Sequence, residues 1–225
     1  MLFKYFSLCL AAATTALACA AAGAAGDSPE SRLRRAAAAG DAAQVRALLA
    51  QGANIEARDA RGRTPLLIAT HHGHAAAARA LIEAGADVNA KDAIQDSPYL
   101  YAGARGLDEI LALTLAHGAD LESVNRYGGT ALIPAAERGH VDTVRMLIAA
   151  GVAVDHVNNL GWTALLEAII LGDGGPRHVR IVQMLIDAGA DPSLADGQGV
   201  TPLAHARQRG YADIEQVLLR AGARA

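Results

Sequence analysis

Three stretches of this chain hold residues whose types and spacing suit chemistry. His71-His72-x-His74 gathers imidazoles closely enough to suggest a zinc, nickel or copper ligand set. Gly172-Asp173-Gly174-Gly175-Pro176-Arg177, with His178 after it, is a glycine-rich turn entering a helix. In such a turn, successive N–H groups point at an anion. Trp162 is the single Trp of the chain, and Tyr127 and Arg126 lie one repeat earlier. Trp, Tyr and Arg dominate binding hot spots, each contributing roughly 2 kcal/mol or more when centrally buried.

Against these stand several absences. The sequence has no Gly-x-Ser-x-Gly elbow, no Gly-x-x-x-x-Gly-Lys-Ser/Thr phosphate loop and no His-Glu-x-x-His. Both cysteines, Cys9 and Cys19, fall in the first twenty residues, so the chain beyond a leader has neither a thiol nucleophile nor a Cys-based zinc site. No enzyme and no cofactor are expected. The metal and anion readings of the histidine cluster and the Gly172 to His178 loop are the weaker alternatives. Lys and Arg number 20 against 23 Asp and Glu, a net charge of −3 that lacks the basic excess of a nucleic-acid binder.

The elements that position these residues come from self-alignment. Thr64-Pro65-Leu66-Leu67, Ser97-Pro98-Tyr99-Leu100, Thr130-Ala131-Leu132-Ile133, Thr163-Ala164-Leu165-Leu166 and Thr201-Pro202-Leu203-Ala204 recur every 33 residues, with one five-residue slip at Asp173 to Arg177. Gly52, Gly85, Gly118, Gly151, Gly189 and Gly222 keep the same period and the same slip. Each unit opens with a turn at Asp59, Asp92, Asn125, Asn158 or Asp196, helped by glycine three residues on, except that Gln95 replaces it in the third unit. A Thr or Ser then caps a short helix, with Pro65, Pro98 and Pro202 at its first position. A second helix follows, apolar on one face, and the glycine of Gly-Ala-Asp closes it.

The run from Asp59-Ala60-Arg61-Gly62-Arg63-Thr64-Pro65-Leu66 through Gly85-Ala86-Asp87-Val88-Asn89 resembles the ankyrin repeat. The resemblance implies an all-α solenoid of about six helix-turn-helix units with short β-turn fingers. Its units are a degenerate first one at 27–58, repeats at 59–91, 92–124 and 125–157, an expanded repeat at 158–195, and a closing unit at 196–225. Small residues on the first helices let units approach closely, which suits a chain 52% apolar but only 4% aromatic. The resemblance makes His74 and His140 structural residues opening second helices. It also places a protein partner on the turn fingertips and the inner face of the first helices. Carried over by position, that face holds Arg61, Arg63, His71, His72, Ile94, Arg105, Arg126, Tyr127, Arg138, Leu160, Trp162, Ile170 and Leu171. Its centre is expected at Tyr127, Leu160 and Trp162, with a monomeric chain binding the partner; the alternatives are that Trp162 folds back to shield its neighbouring turn and that Ile170 and Leu171 pack under the inserted loop.

The N-terminus reads as an export signal. Met1 to Phe6 carries one cation, Lys4, and Ser7 to Ala18 is apolar and ends in small residues. This stretch is too short to span a bilayer, and no later segment is uniformly apolar over ~20 residues. Ala16-Leu17-Ala18-Cys19 resembles a loose bacterial lipobox with Cys19 as the lipidated residue. The alternative is that Cys19 is discarded with the leader, set at 1–26, or stays as a lone small apolar residue. Leader and solenoid together resemble a bacterial envelope ankyrin-repeat protein, periplasmic or membrane-anchored, with a secreted host-directed effector as the other possibility.

Overall fold

The computed structural model describes residues 28–224; the leader, its cleavage region and Cys19 lie outside the described residues. Twelve helices and no strand occur among them. They pair as α1 (Pro29–Ala39) with α2 (Ala42–Ala50), α3 (Pro65–His71) with α4 (Ala75–Glu83), and α5 (Pro98–Arg105) with α6 (Asp108–Ala116). The series continues as α7 (Leu132–Glu137) with α8 (Val141–Ala150), α9 (Ala164–Ile170) with α10 (Pro176–Asp187), and α11 (Pro202–Arg209) with α12 (Ala212–Arg220). First helices stack on first helices, α1 on α3 through to α9 on α11, and second helices stack likewise from α2 to α12. The chain is an all-α ankyrin-type solenoid in which each unit buries its apolar face only against its neighbours. The wholly buried Leu66, Leu81, Leu111, Leu132, Leu147 and Leu165 run through that shared core.

Each turn is built by its opening carboxylate or amide. Asp59 Oδ1 accepts from the N–H groups of Arg61 and Arg63 at 2.8 and 2.9 Å, and Asn158 Oδ1 accepts from Leu160 and Trp162 at 2.9 and 3.1 Å. Adjacent turns join edge to edge through Ala93 N–H to the Arg61 carbonyl at 3.0 Å and Asn159 N–H to the Tyr127 carbonyl at 2.9 Å. Gln95 holds the left-handed backbone, with φ 66°, that glycine supplies in the other turns.

Helix starts follow the expected caps in every full unit but one. The hydroxyls of Thr64, Ser97, Thr163 and Thr201 accept from the N–H three residues on, each at 3.2 Å. Thr130 does not cap α7, and its buried hydroxyl has no partner. The cause is Pro134. In the other units the carbonyl of the capping residue accepts from the fourth residue along, as Thr163 does from Glu167 at 2.9 Å. Proline has no N–H to give, so Ile133 N–H turns to the Thr130 carbonyl at 3.3 Å and is lost to the hydroxyl.

On the outer side, from α4 onward, a side chain at the start of the second helix closes over the turn of the unit before it. His74 and His140 are the residues immediately preceding α4 and α8. His74 Nε2 lies 3.1 Å from the Ala38 carbonyl, and the His140 ring packs against Gly106 so closely that a Cβ there would fall 2.7 Å from Nδ1. In the expanded unit this place passes to His178, whose Nε2 donates to the Glu137 carbonyl at 2.9 Å. Tyr211 takes it in the last unit and donates its hydroxyl to the Gly172 carbonyl at 2.9 Å.

Candidate functional site

The inner face opens into a groove of about 350 Å³ between α5, α7 and α9 and the turns above them. Its apolar surface comes from Leu100, Ile133, Tyr127, Leu160 and Leu171. Tyr127 and Leu160 are each 57% exposed and Leu171 is 50% exposed, which is large apolar area left in water on one face. Arg105, Arg126 and Arg138 edge the groove, and Asp96, Glu137 and Glu167 bring carboxyl groups into it.

The arginines are held in place. Arg126 lies over the Tyr127 ring, 5.0 Å from its centroid, and 3.7 Å from Asp96. Arg138 donates to the Ala104 carbonyl. Arg105 sits 5.9 Å from the Tyr101 ring, against which His71 also stacks with centroids 4.1 Å apart. Burial pushes the Asp96 carboxyl up from its ordinary value while Arg126 draws it back. Glu167 is the deepest of the charged groups, only 6% exposed, with the Asn158 side-chain amide donating to Oε1 at 2.8 Å. Burial first, and then the charge of Glu137, raise its pKa to about 7.

Arg105, Arg126, Tyr127, Arg138, Leu160 and Leu171 of the expected face are brought together in this groove. The others lie elsewhere. Arg63 is tied to Asp59 through Nε at 2.8 Å and Nη2 at 2.7 Å, and its side chain is 21% exposed. Arg61 and the 49% exposed Ile94 stand on turns outside the groove. His71 is half-buried, and desolvation together with Arg63 lowers its pKa; its Nε2 is buried without a partner. His72 is exposed, its ring 5.8 Å from that of His74. Trp162, expected at the centre of the face, is half-buried and does not line the groove. Ile170, expected on the exposed inner face, is buried at 8% exposure, because its helix α9 is packed by α7, α10 and α11 together.

The inserted loop fills its own anion seat. Asp173 Oδ1 accepts from Gly175 N–H at 2.9 Å and meets His178 Nδ1 at 2.7 Å. The Gly175 N–H, and then His178, hold the Asp173 carboxyl below its usual value. Among the described residues no group of three or more His, Cys, Asp and Glu is placed to hold a metal ion. Glu167, Tyr101 and Ile133 belong to the groove without having been singled out in the sequence. The one available signal was an acid in the otherwise apolar run Ala164-Leu165-Leu166-Glu167-Ala168-Ile169-Ile170, at the repeat position that holds Ile68, Tyr101, Pro134 and His205 in other units.

The family profile described as ankyrin repeats (3 copies) matches residues 8–92 and 99–196, more than half of the chain. The chain belongs to the ankyrin-repeat family. It is similar to an ankyrin repeat domain from Acinetobacter baumannii AYE at 64% identity and TM-score 0.84, covering 85% of this chain and 98% of that one. The ankyrin-repeat protein EF0377 is 44% identical with TM-score 0.82, over 85% and 98% of the two chains. The human ASB11 ankyrin repeat domain is 27% identical with TM-score 0.74, over 85% and 84%. A curated relative, the putative ankyrin repeat protein YahD of Escherichia coli K12, is 53% identical over 57 residues, which is 25% of this chain and 28% of that protein. The ankyrin repeat is an interaction scaffold for proteins, and its fold is not built around catalysis. No helix among the described residues is long and apolar enough to cross a membrane.

Proposed function

We propose that this ankyrin-repeat chain is a non-enzymatic binding module of the bacterial cell envelope, which grips an exported protein through the groove of its third to fifth units and so stabilises, inhibits or assembles it. The observation that carries the reading is the groove itself, where Tyr127, Leu160 and Leu171 stand half or more exposed around a concave floor. Folding gains nothing from leaving these side chains in water, whereas a partner covering them gains the burial of two large aliphatic groups and an aromatic ring. The envelope location rests on the export pattern of Met1 to Ala18, with a lipid on Cys19 or cleavage beyond it as the two ways of leaving the cytoplasm. The groove is complete within a single chain, which suits a monomer.

The test is retention of an envelope protein by the immobilised chain, with Tyr127→Ala/Leu160→Ala as the paired control. A partner held by the parent and lost by the double variant, with unchanged circular dichroism, supports the reading; equal retention by both overturns the groove as the binding face. Incorporation of a fatty-acid analogue by the parent, but not by Cys19→Ala, decides between the anchored and the cleaved forms.

A further inference from the structure

The groove is lined by two acids from neighbouring helices, Glu137 and Glu167, the charge of the first acting on the second. Glu167 on α9 makes one hydrogen bond, from Asn158 to Oε1, and lies among the groove-lining residues. Glu137 on α7 lines the same floor, and its carboxylate makes no hydrogen bond or ion pair among the described residues. In a partly desolvated cleft the Glu137 charge disfavours that of Glu167, and Arg138 and the Asn158 hydrogen bond offset burial and that charge only in part.

The chain's own positive groups are hydrogen-bonded or stacked on other partners, and Arg138 alone is near enough to ease the Glu167 charge. Arg138, beside Glu137, donates to the Ala104 carbonyl, Arg126 rests on Tyr127 near Asp96, and Arg105 lies at the Tyr101 ring. From the helices packed on α9, His178 of α10 is turned to Asp173 and the Glu137 carbonyl, and His205 of α11 is turned to Asp196 at 2.8 Å. Among the described residues no third metal-type ligand joins the two acids, which suits an organic cation better than a metal ion. The aliphatic and aromatic walls of Tyr127, Leu160 and Leu171 suit a long apolar stem that ends in a charge.

We propose that the groove takes a lysine or arginine side chain of the partner, its stem against Tyr127, Leu160 and Leu171 and its cationic head between Glu137 and Glu167. This rests on the groove being the partner face. The rim arginines then meet acidic or carbonyl groups flanking that residue, so the preferred segment is a cation set among apolar and acidic neighbours. Because the head favours the ionised carboxylate, binding expels the proton from Glu167. With that group titrating near pH 7, affinity rises with pH by about tenfold between pH 6 and pH 8.

A random 12-residue peptide display library selected on the full chain at pH 8, and counter-selected on Tyr127→Ala/Leu160→Ala, supplies the probes. Selected peptides and their analogues with norleucine in place of each lysine or arginine are then titrated by calorimetry at pH 6 and pH 8 against the parent, Glu167→Gln and Glu137→Gln. The expected result is enrichment of one lysine or arginine, a loss of tenfold or more on norleucine replacement, and a tenfold pH effect that disappears in Glu167→Gln. Glu137→Gln, which leaves the Asn158 contact intact, weakens binding in the same direction and guards against a folding defect in the first variant. Groove-dependent peptides that carry no cation, or that bind equally well with norleucine, overturn the cation site while leaving the groove as a protein-binding face. A selection that yields no groove-dependent peptide overturns both.

Discussion

The outer side of the solenoid and the groove on its inner side obey different rules. Outside, the same contact is made unit after unit with exchangeable residues: His74, His140, His178 and Tyr211 each close over the turn before them. Even the five-residue insertion preserves it, with His178 replacing the residue that would have stood at the start of α10. Inside, the equivalent position of the first helices holds Ile68, Tyr101, Pro134, Glu167 and His205 in turn, and the groove occurs where those residues are least alike. Periodic positions carry the fold, since every unit needs the same nearest-neighbour contact. Positions that break the period at a cost to the fold are where function is to be sought.

The largest effect is expected where the outer contact is tightest. A Cβ on Gly172 would meet the Ala168 carbonyl oxygen at 2.1 Å and the His178 ring at 2.5 Å, and the backbone atom has no room to yield. Gly172→Ala should therefore lose about 3 kcal/mol in chemical denaturation. A loss under 1 kcal/mol would show that the inserted loop is not locked into the periodic contact. The groove should behave in the opposite sense. Glu167 has a folded-state pKa raised to about 7 from an ordinary 4.5, so between those values the folded chain holds more protons than the unfolded one. Stability from this group falls as pH rises through that window. Glu167→Gln, which keeps an acceptor for Asn158, should raise stability at pH 8 by roughly 2 kcal/mol, with the gain shrinking towards pH 4.5. No gain at pH 8 would mean that Glu167 is not held at a cost.

What could be read in the sequence divides along the same line. The 33-residue period, the turn residues and the second-helix glycines were legible because each recurs at fixed offsets. Glu167 was not, since one acid within seven residues of helical, otherwise apolar sequence reads as an exposed position until the packing of α7, α10 and α11 around α9 is known. Trp162 was open to two readings for a related reason: its type marks a hot spot, while its backbone is bound into the turn by Asn158 and its side chain is half-buried outside the groove. Ile170 and Leu171 are adjacent and equally apolar, and only the phase of the last turn of α9 sends one inward and the other into the groove.

Smaller effects sharpen the rule that departures from the period are costly. Gln95 occupies a left-handed backbone at φ 66°, which an L side chain adopts at a cost. Gln95→Gly should stabilise by about 1 kcal/mol in thermal and chemical unfolding, partly offset by the greater freedom glycine brings to the unfolded chain. An unchanged or lowered stability would show that the third turn is not strained by its departure from glycine.

The finest test lies in two threonines at the same repeat position. Thr163 caps α9 through Leu166 N–H, whereas Thr130, one unit earlier, has a buried hydroxyl without a partner because Pro134 draws Ile133 N–H to the Thr130 carbonyl. Thr163→Val should cost about 1 kcal/mol. Thr130→Val should change stability by less than about 0.5 kcal/mol or raise it, since it removes an unsatisfied polar group at constant shape. Pro134→Ala restores the missing N–H at the fourth position and frees Ile133 N–H for the hydroxyl. In that background Thr130→Val should become destabilising, which a double-mutant cycle reads directly. If Thr130→Val costs the same with and without Pro134, the proline is not what uncouples the cap, and the link between the broken period at position 134 and the missing hydrogen bond fails.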